Sequence, residues 1–224
     1  MKIENNILKH YLSHTYFITG TAYAGKSTMV SLLAQRYGLT ACTENYHMQV
    51  SRQVAQPQIQ PNLCYFQTMS GWPEFLNRTP QEYEVWIRES SREAAEFEVA
   101  QLLALSQSGG VIVDTNIPLD LLHEISDYRH VAVMLAPQWM SVERFFDRED
   151  EEKQFLLRQI QLCEDPKATM ENFRQCLMKI NSPECYQEYA QSGFFTIVRD
   201  FAERDTRQET LIALARHFGL EDGE

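Results

Sequence analysis

The run FITGTAYAGKSTMV, from Phe17 to Val30, sets Gly20 and Gly25 five positions apart and places Lys26 and Ser27 directly after the second glycine. Glycines let a backbone curl so that successive amide hydrogens turn inward, toward an anion. The lysine adds a cation, and the serine adds a hydroxyl that a hard metal ion accepts as a ligand. The apolar stretch YFIT (16–19) precedes the loop and an amphipathic stretch follows it, so the positive end of a helix is aimed at the same place. The chemistry implied is the cradling of a phosphate chain. Lys26 reaches the β and γ phosphates and Ser27 holds magnesium, while the backbone of Gly20, Thr21, Ala22, Tyr23, Ala24, Gly25, Lys26, Ser27 and Thr28 forms the nucleotide-binding surface.

A phosphate loop needs an acid to position magnesium, at the end of the strand beside it. VIVDTN (111–116) supplies Asp114 after three apolar strand residues. It is expected to organise the metal, with Ser27, or to act as general base toward a substrate hydroxyl; Asp-Thr-Asn-Ile-Pro is equally good turn chemistry. Glu44 closes a second apolar run in TACTENYH, at the same edge of the sheet.

The pattern Gly20-x4-Gly25-Lys26-Ser27 between strand and helix resembles the P-loop nucleoside triphosphatase superfamily. That resemblance implies ATP and Mg2+ as cofactors. In small-molecule kinases of the superfamily an acid placed like Glu44 binds or deprotonates the phosphate acceptor. The run SVERFFDREDEEKQFLLRQI (141–160) is similar to the arginine-bearing lid of nucleoside and nucleotide kinases. Arg144, Arg148 and Arg158 are its candidate cations, with Arg148 favoured to meet the transferring phosphoryl group. The competing reading of that run is a solvated helix of ion pairs, because Glu143, Asp147, Glu149, Asp150, Glu151 and Glu152 surround the arginines. Glu44-Asn45-Tyr46 and Asp114-Thr115-Asn116 are similar to pieces of ribosylnicotinamide kinases and related nucleoside kinases. The loop departs from the GxPGxGK form of adenylate kinases at Ala22, Tyr23 and Ala24, which points to a divergent relative. An NKxD guanine signature is absent, and LSQSGG (105–110) resembles a transporter signature only superficially.

These side chains need a scaffold. Short apolar, β-branched runs at 16–19, 39–43, 111–114, 131–135 and 194–198 alternate with helical stretches, which predicts an α/β fold of three layers with a mostly parallel five-stranded sheet. A helix is predicted over Lys26–Tyr37, ending at Gly38. Thr79-Pro-Gln-Glu82 forms a capping box for a helix of about 28 residues, buried along Tyr83, Trp86, Ser90, Ala94, Phe97, Ala100 and Ala104. Further helices are expected over 140–163, after Asp165-Pro166, after Ser182-Pro183 and over 208–217. The chain reads as one domain, 1–224, with a substrate-binding insertion at about 46–78 and a lid at about 139–165. From the insertion, Tyr46, Arg52 and Trp72 are expected to face the acceptor, with Tyr65, Phe66 and Phe75 suited to a flat nucleobase.

Composition narrows the partners. Apolar residues at 44% and charged residues at 23% suit a folded globular chain. A formal charge of −11 excludes broad attraction to nucleic acid or to an anionic membrane. Five cysteines without a CxxC pair predict reduced thiols and a cytoplasmic setting. The expected partner is a small-molecule phosphate acceptor, and a homodimer is compatible with the sequence. The function expected is an ATP-dependent phosphotransferase acting on a nucleoside or nucleotide. A kinase for a non-nucleoside metabolite and a nucleotide switch are the alternatives.

Overall fold

The computed structural model describes residues 5–143, 145, 151–199 and 205–220. Every residue of β3 (Val111–Asp114) and β4 (Val131–Leu135) is buried, as are all but one in β1 (Thr15–Gly20). Strands covered on both faces read as continuous apolar runs, which is why the sequence shows no alternation there. With β2 (Thr40–Cys42) and β5 (Phe195–Val198) at the edges, the strands lie in the order β2-β3-β1-β4-β5, and every neighbouring pair is parallel.

Successive strand residues point to opposite faces, and each face has its own helices. Phe17, Val113 and Val133 pack with residues of α1 (Asn5–Tyr11), α6 (Pro80–Leu105) and α7 (Leu119–Ile125). Ile18, Ile112 and Ala132 pack with α2 (Lys26–Tyr37) and α12 (Arg207–Phe218). A third apolar cluster stands apart from the sheet, where α5 (Trp72–Leu76), α6, α9 (Glu151–Gln161) and α10 (Pro166–Ile180) bury Phe75, Leu76, Tyr83, Ile160, Phe173 and Leu177.

The ends of the elements follow their capping chemistry. Gly38 closes α2 in the left-handed conformation at φ 66°. Both hydrogen bonds of the Thr79–Glu82 capping box are present, and α6 runs for 26 residues before a short 3-10 turn at Ser106–Ser108. Asp165 and Ser182 cap α10 and α11 (Pro183–Ala190) through backbone amides of the first turn.

Three differences from the sequence reading are informative. The segment 46–78 carries three short helices, α3 (Met48–Val54), α4 (Tyr65–Thr68) and α5. The expected helix over 140–163 is represented by α8 (Gln138–Glu143) and α9, with Arg144 and residues 146–150 outside the described residues. On α6 the buried stripe continues from Ala94 through Ala95, Glu98 and Leu102, whereas Ala100 and Ala104 are exposed. A carboxylate on the buried face hides the true register from a search for apolar periodicity.

Candidate functional site

The order of the sheet places β1 where the chain changes direction, with β3 on one side and β4 on the other. Ligands of open parallel sheets gather at the carboxyl ends of strands at such a switch point. The glycine loop leaves β1 there. Gly20 takes φ 125°, and a Cβ on it would stand 2.0 Å from the Met134 carbonyl oxygen, so the strand exit admits only glycine. Thr21 then staples the loop to the end of β4: its amide donates to Met134 O at 3.0 Å and its Oγ1 accepts from the Ala136 amide at 2.7 Å.

Side chains grip the outer rim of the loop. Lys26 Nζ donates to Thr21 O at 3.2 Å, Ser141 Oγ to Ala22 O at 3.2 Å, and Arg199 Nη1 to Tyr23 O at 3.0 Å. Three successive carbonyls are thereby engaged. Tyr23 itself holds φ 64°, an uncommon conformation for a non-glycine residue, and Lys153 approaches its ring at 5.8 Å. Ala24 is buried beneath the loop, and Thr28 is exposed on the first turn of α2. Gly25 caps α2 with no side-chain bond, so the first-turn amides of this twelve-residue helix face the loop without a capping side chain among the described residues.

The acid stands opposite. Asp114, at the end of β3, is 2% exposed. Ser27 Oγ donates to its Oδ2 at 2.6 Å, and Lys26 Nζ lies 3.9 Å from Oδ1. Oδ1 is buried and accepts no hydrogen bond among the described residues. Burial raises this carboxyl above the ordinary aspartate value, Lys26 and Ser27 oppose the rise, and the Glu44 charge adds to it. Glu44 is exposed just beyond β2, where Asn116 Nδ2 donates to its Oε1 at 3.3 Å.

Hard oxygen donors and a buried carboxylate oxygen with no hydrogen bond suit Mg2+, which takes few protein ligands and fills its sphere with phosphate and water oxygens. Ser27 and Asp114 fit that demand. Among the described residues no group of three or more His, Cys, Asp or Glu side chains is arranged to hold a metal ion by itself. The first-turn amides of α2 with Lys26 fit a polyphosphate.

Glu98 escaped sequence reasoning. It lies mid-helix on α6, is 4% exposed, and its Oε2 accepts from Thr115 Oγ1 at 2.7 Å. Burial pushes its carboxyl up to about 7; the Thr115 bond and the nearby Tyr46 hydroxyl oppose the rise, and Asp114 and Glu44 add to it. Tyr46 is half-buried, and its hydroxyl is raised first by burial and then by the Glu98 charge. The available signal was position: Glu98 shares a helical face with Ala94, Ala95 and Leu102.

The remaining candidates make contacts of their own. Arg52 is exposed on α3, where its Nη2 reaches Met48 Sδ at 3.4 Å. Trp72 stands 5.5 Å from Phe66 and 5.1 Å from Phe155, ring to ring. Tyr65, Phe66 and Phe75 belong to the same aromatic nest, with the Arg78 guanidinium 3.9 Å above the Tyr65 ring. Arg158 is exposed on α9, its guanidinium 5.9 Å from the Phe155 ring. Arg144 and Arg148 lie outside the described residues.

A groove of about 280 Å3 opens between α6, α7, α10 and α11, with Asn116 in its wall. Arg88, Arg92, Asp120, Glu188 and Tyr189 also line it. Arg88 Nη2 lies 3.2 Å from Glu188 Oε2, and Arg92 Nη2 2.9 Å from Asp120 Oδ2. Among the described residues no helix is long and apolar enough to cross a membrane. No family model matches the chain, and no curated protein matches it.

Proposed function

We propose that this chain is a magnesium-dependent kinase of the P-loop superfamily, acting in the cytoplasm to move the γ-phosphoryl group of ATP to a small acceptor, a nucleoside or nucleotide in the first instance. One observation carries the reading: the Ser27 hydroxyl, at the head of α2 behind a glycine loop, meets the buried Asp114 carboxylate at 2.6 Å, with Lys26 beside both. Residues 87 positions apart are brought to hydrogen-bond distance at the switch point of the sheet. When bound, ATP and Mg2+ supply a transferable phosphoryl group and neutralise the charge that builds on its oxygens.

The roles of the chain's own groups follow. Lys26 exchanges its Thr21 contact for phosphate oxygens, and the α2 amides hold those oxygens without reorganising. Ser27 and Asp114 orient the metal. Asp114 is thus engaged on its inner side, which leaves the exposed Glu44, steadied by Asn116, to accept the proton of the acceptor hydroxyl.

The groove favours a second reading of the acceptor. Its lining sets Arg88, Arg92, Asp120 and Glu188 beside Ile87, Leu119 and Ile180, and the aromatic side chains of 65–75 pack in a cluster of their own. A hydroxyl-bearing metabolite other than a nucleoside would find charged partners in such a wall and no aromatic pair to stack a base between. Thermal shifts with nucleosides, nucleotides and sugars, each beside a nonhydrolysable ATP analogue and Mg2+, separate the two. Replacement of Lys26 by Ala should lower phosphoryl transfer at least ~1,000-fold with an unchanged circular dichroism spectrum; full activity in that variant would sink the proposal.

A further inference from the structure

Glu98 is an expensive residue to keep where it is. A carboxyl that is 4% exposed, on a helix face otherwise formed by Ala94, Ala95 and Leu102, forgoes hydration that an apolar residue would not need. Its hydrogen bonds show what it holds. Glu98 Oε2 accepts from Thr115 Oγ1 at 2.7 Å, and the same Thr115 oxygen accepts from the Ile117 amide at 3.0 Å. The Thr115 amide donates in turn to Ile18 O at 3.0 Å, at the end of β1. Thr115 stands between Asp114 and Asn116, so the turn carrying both is tied to α6 through one carboxyl. The Tyr46 hydroxyl, two residues beyond Glu44, is buried near enough to feel the Glu98 charge but makes no hydrogen bond among the described residues.

We infer that Glu98 is a positioning residue for the acidic half of the site: it ties the exit of β3 to one point on α6 and so sets where Asp114 and Asn116 stand, and through the Asn116 bond the Glu44 carboxylate. The inference rests on the magnesium-nucleotide reading of that half-site. Glu98 is not placed to touch phosphate or metal; it acts through Thr115. A carboxyl or an amide oxygen at this place can accept from Thr115, and a methyl group cannot. Outer-shell partners of this kind typically alter metal affinity 10–100-fold when removed.

The test compares Glu98→Ala, Glu98→Gln, Thr115→Val and, as a purely structural control on the same helix face, Leu102→Ala. The probe is a nonhydrolysable ATP analogue titrated calorimetrically over a range of Mg2+ concentrations. Glu98→Ala and Thr115→Val should raise the Mg2+ needed for half-maximal binding at least ~10-fold, with metal-free analogue binding unchanged. Glu98→Gln should stay within ~3-fold of the unmodified protein, and Leu102→Ala should match it at any cost in melting temperature. Equal Mg2+ dependence in Glu98→Ala and Leu102→Ala would overturn the inference; should Glu98→Ala not fold, Thr115→Val against Leu102→Ala decides in the same way. Amide hydrogen exchange in the nucleotide-free protein gives a second readout, with Thr115 and Ile117 expected to exchange faster in Glu98→Ala than in Leu102→Ala. If the unmodified protein binds the analogue with no Mg2+ dependence, the magnesium reading falls by itself, and exchange at those two amides then decides the positioning role.

Discussion

The glycine loop with its acidic edge and the aromatic nest beyond the sheet are built on opposite principles. In the first, specificity comes from what is small and polar. Gly20 leaves no room for a methyl group, Thr21 bonds across to β4, and Ser27 meets Asp114 at 2.6 Å. In the second, Phe75, Tyr83, Trp86 and Phe173 lie ring to ring at 5.1 to 5.8 Å, and bulk does the holding. One region depends on the position of single atoms and the other on volume filled, so the same kind of mutation should affect them differently.

The largest stability effect should come from the nest. Phe173 is 1% exposed, and Phe173→Ala is expected to cost about 4 kcal/mol by urea denaturation. If it also removed Mg2+-dependent nucleotide binding from the molecules that remain folded, the two regions would not be separable in this way.

A smaller effect, dependent on pH, should come from the acidic edge. The folded protein keeps a proton on Glu98 up to about 7, whereas the unfolded chain releases it near 4.5. Between those values the folded state binds more protons, so stability is present below 4.5 and lost as the pH rises through 7. Glu98→Gln has no such proton to lose. It should gain on the unmodified protein across that window, by up to about 3 kcal/mol at pH 8, measured as the difference between urea midpoints at pH 4.5 and pH 8. Parallel pH profiles for the two proteins would contradict it.

The smallest effect tests the helix that serves both regions. Thr79→Ala removes the capping box of α6 and should cost about 1 kcal/mol, with Mg2+-dependent binding unchanged. A comparable loss of nucleotide binding would mean that the start of α6 reaches the site more directly than its capping contacts suggest.

The same contrast explains what could be read in advance. The runs predicting β1, β3 and β4 coincide with the strands to within a residue, because strands buried on both faces have no polar positions to blur them. The loop follows such a run and Asp114 ends one, which made both legible; Glu44 follows β2, whose Thr40 and Ala41 are exposed, and was legible from the apolar run alone. Glu98 was not, since nothing in a helical sequence says which polar residue faces inward until the neighbouring sheet is known. The helices α3, α4 and α5 are too short to show a period, and their aromatics give the same signal whether they line a pocket or pack together. Arg52 and Arg158 show the converse: the types were suited to phosphate, and both side chains lie exposed on their helices.

The strand order has a consequence for synthesis. Of the five strands β1 and β2 are synthesised first, yet they are not neighbours; β3 lies between them and pairs with both. No two of these five strands pair until Val111 has emerged, so β1 and β2 wait without strand partners until then. The 26-residue α6, with its strong capping box, is the longest local structure available in that interval. The nascent chain is most open to aggregation or to a chaperone just before β3 appears, when only contacts within its helices, α6 the longest of them, are available.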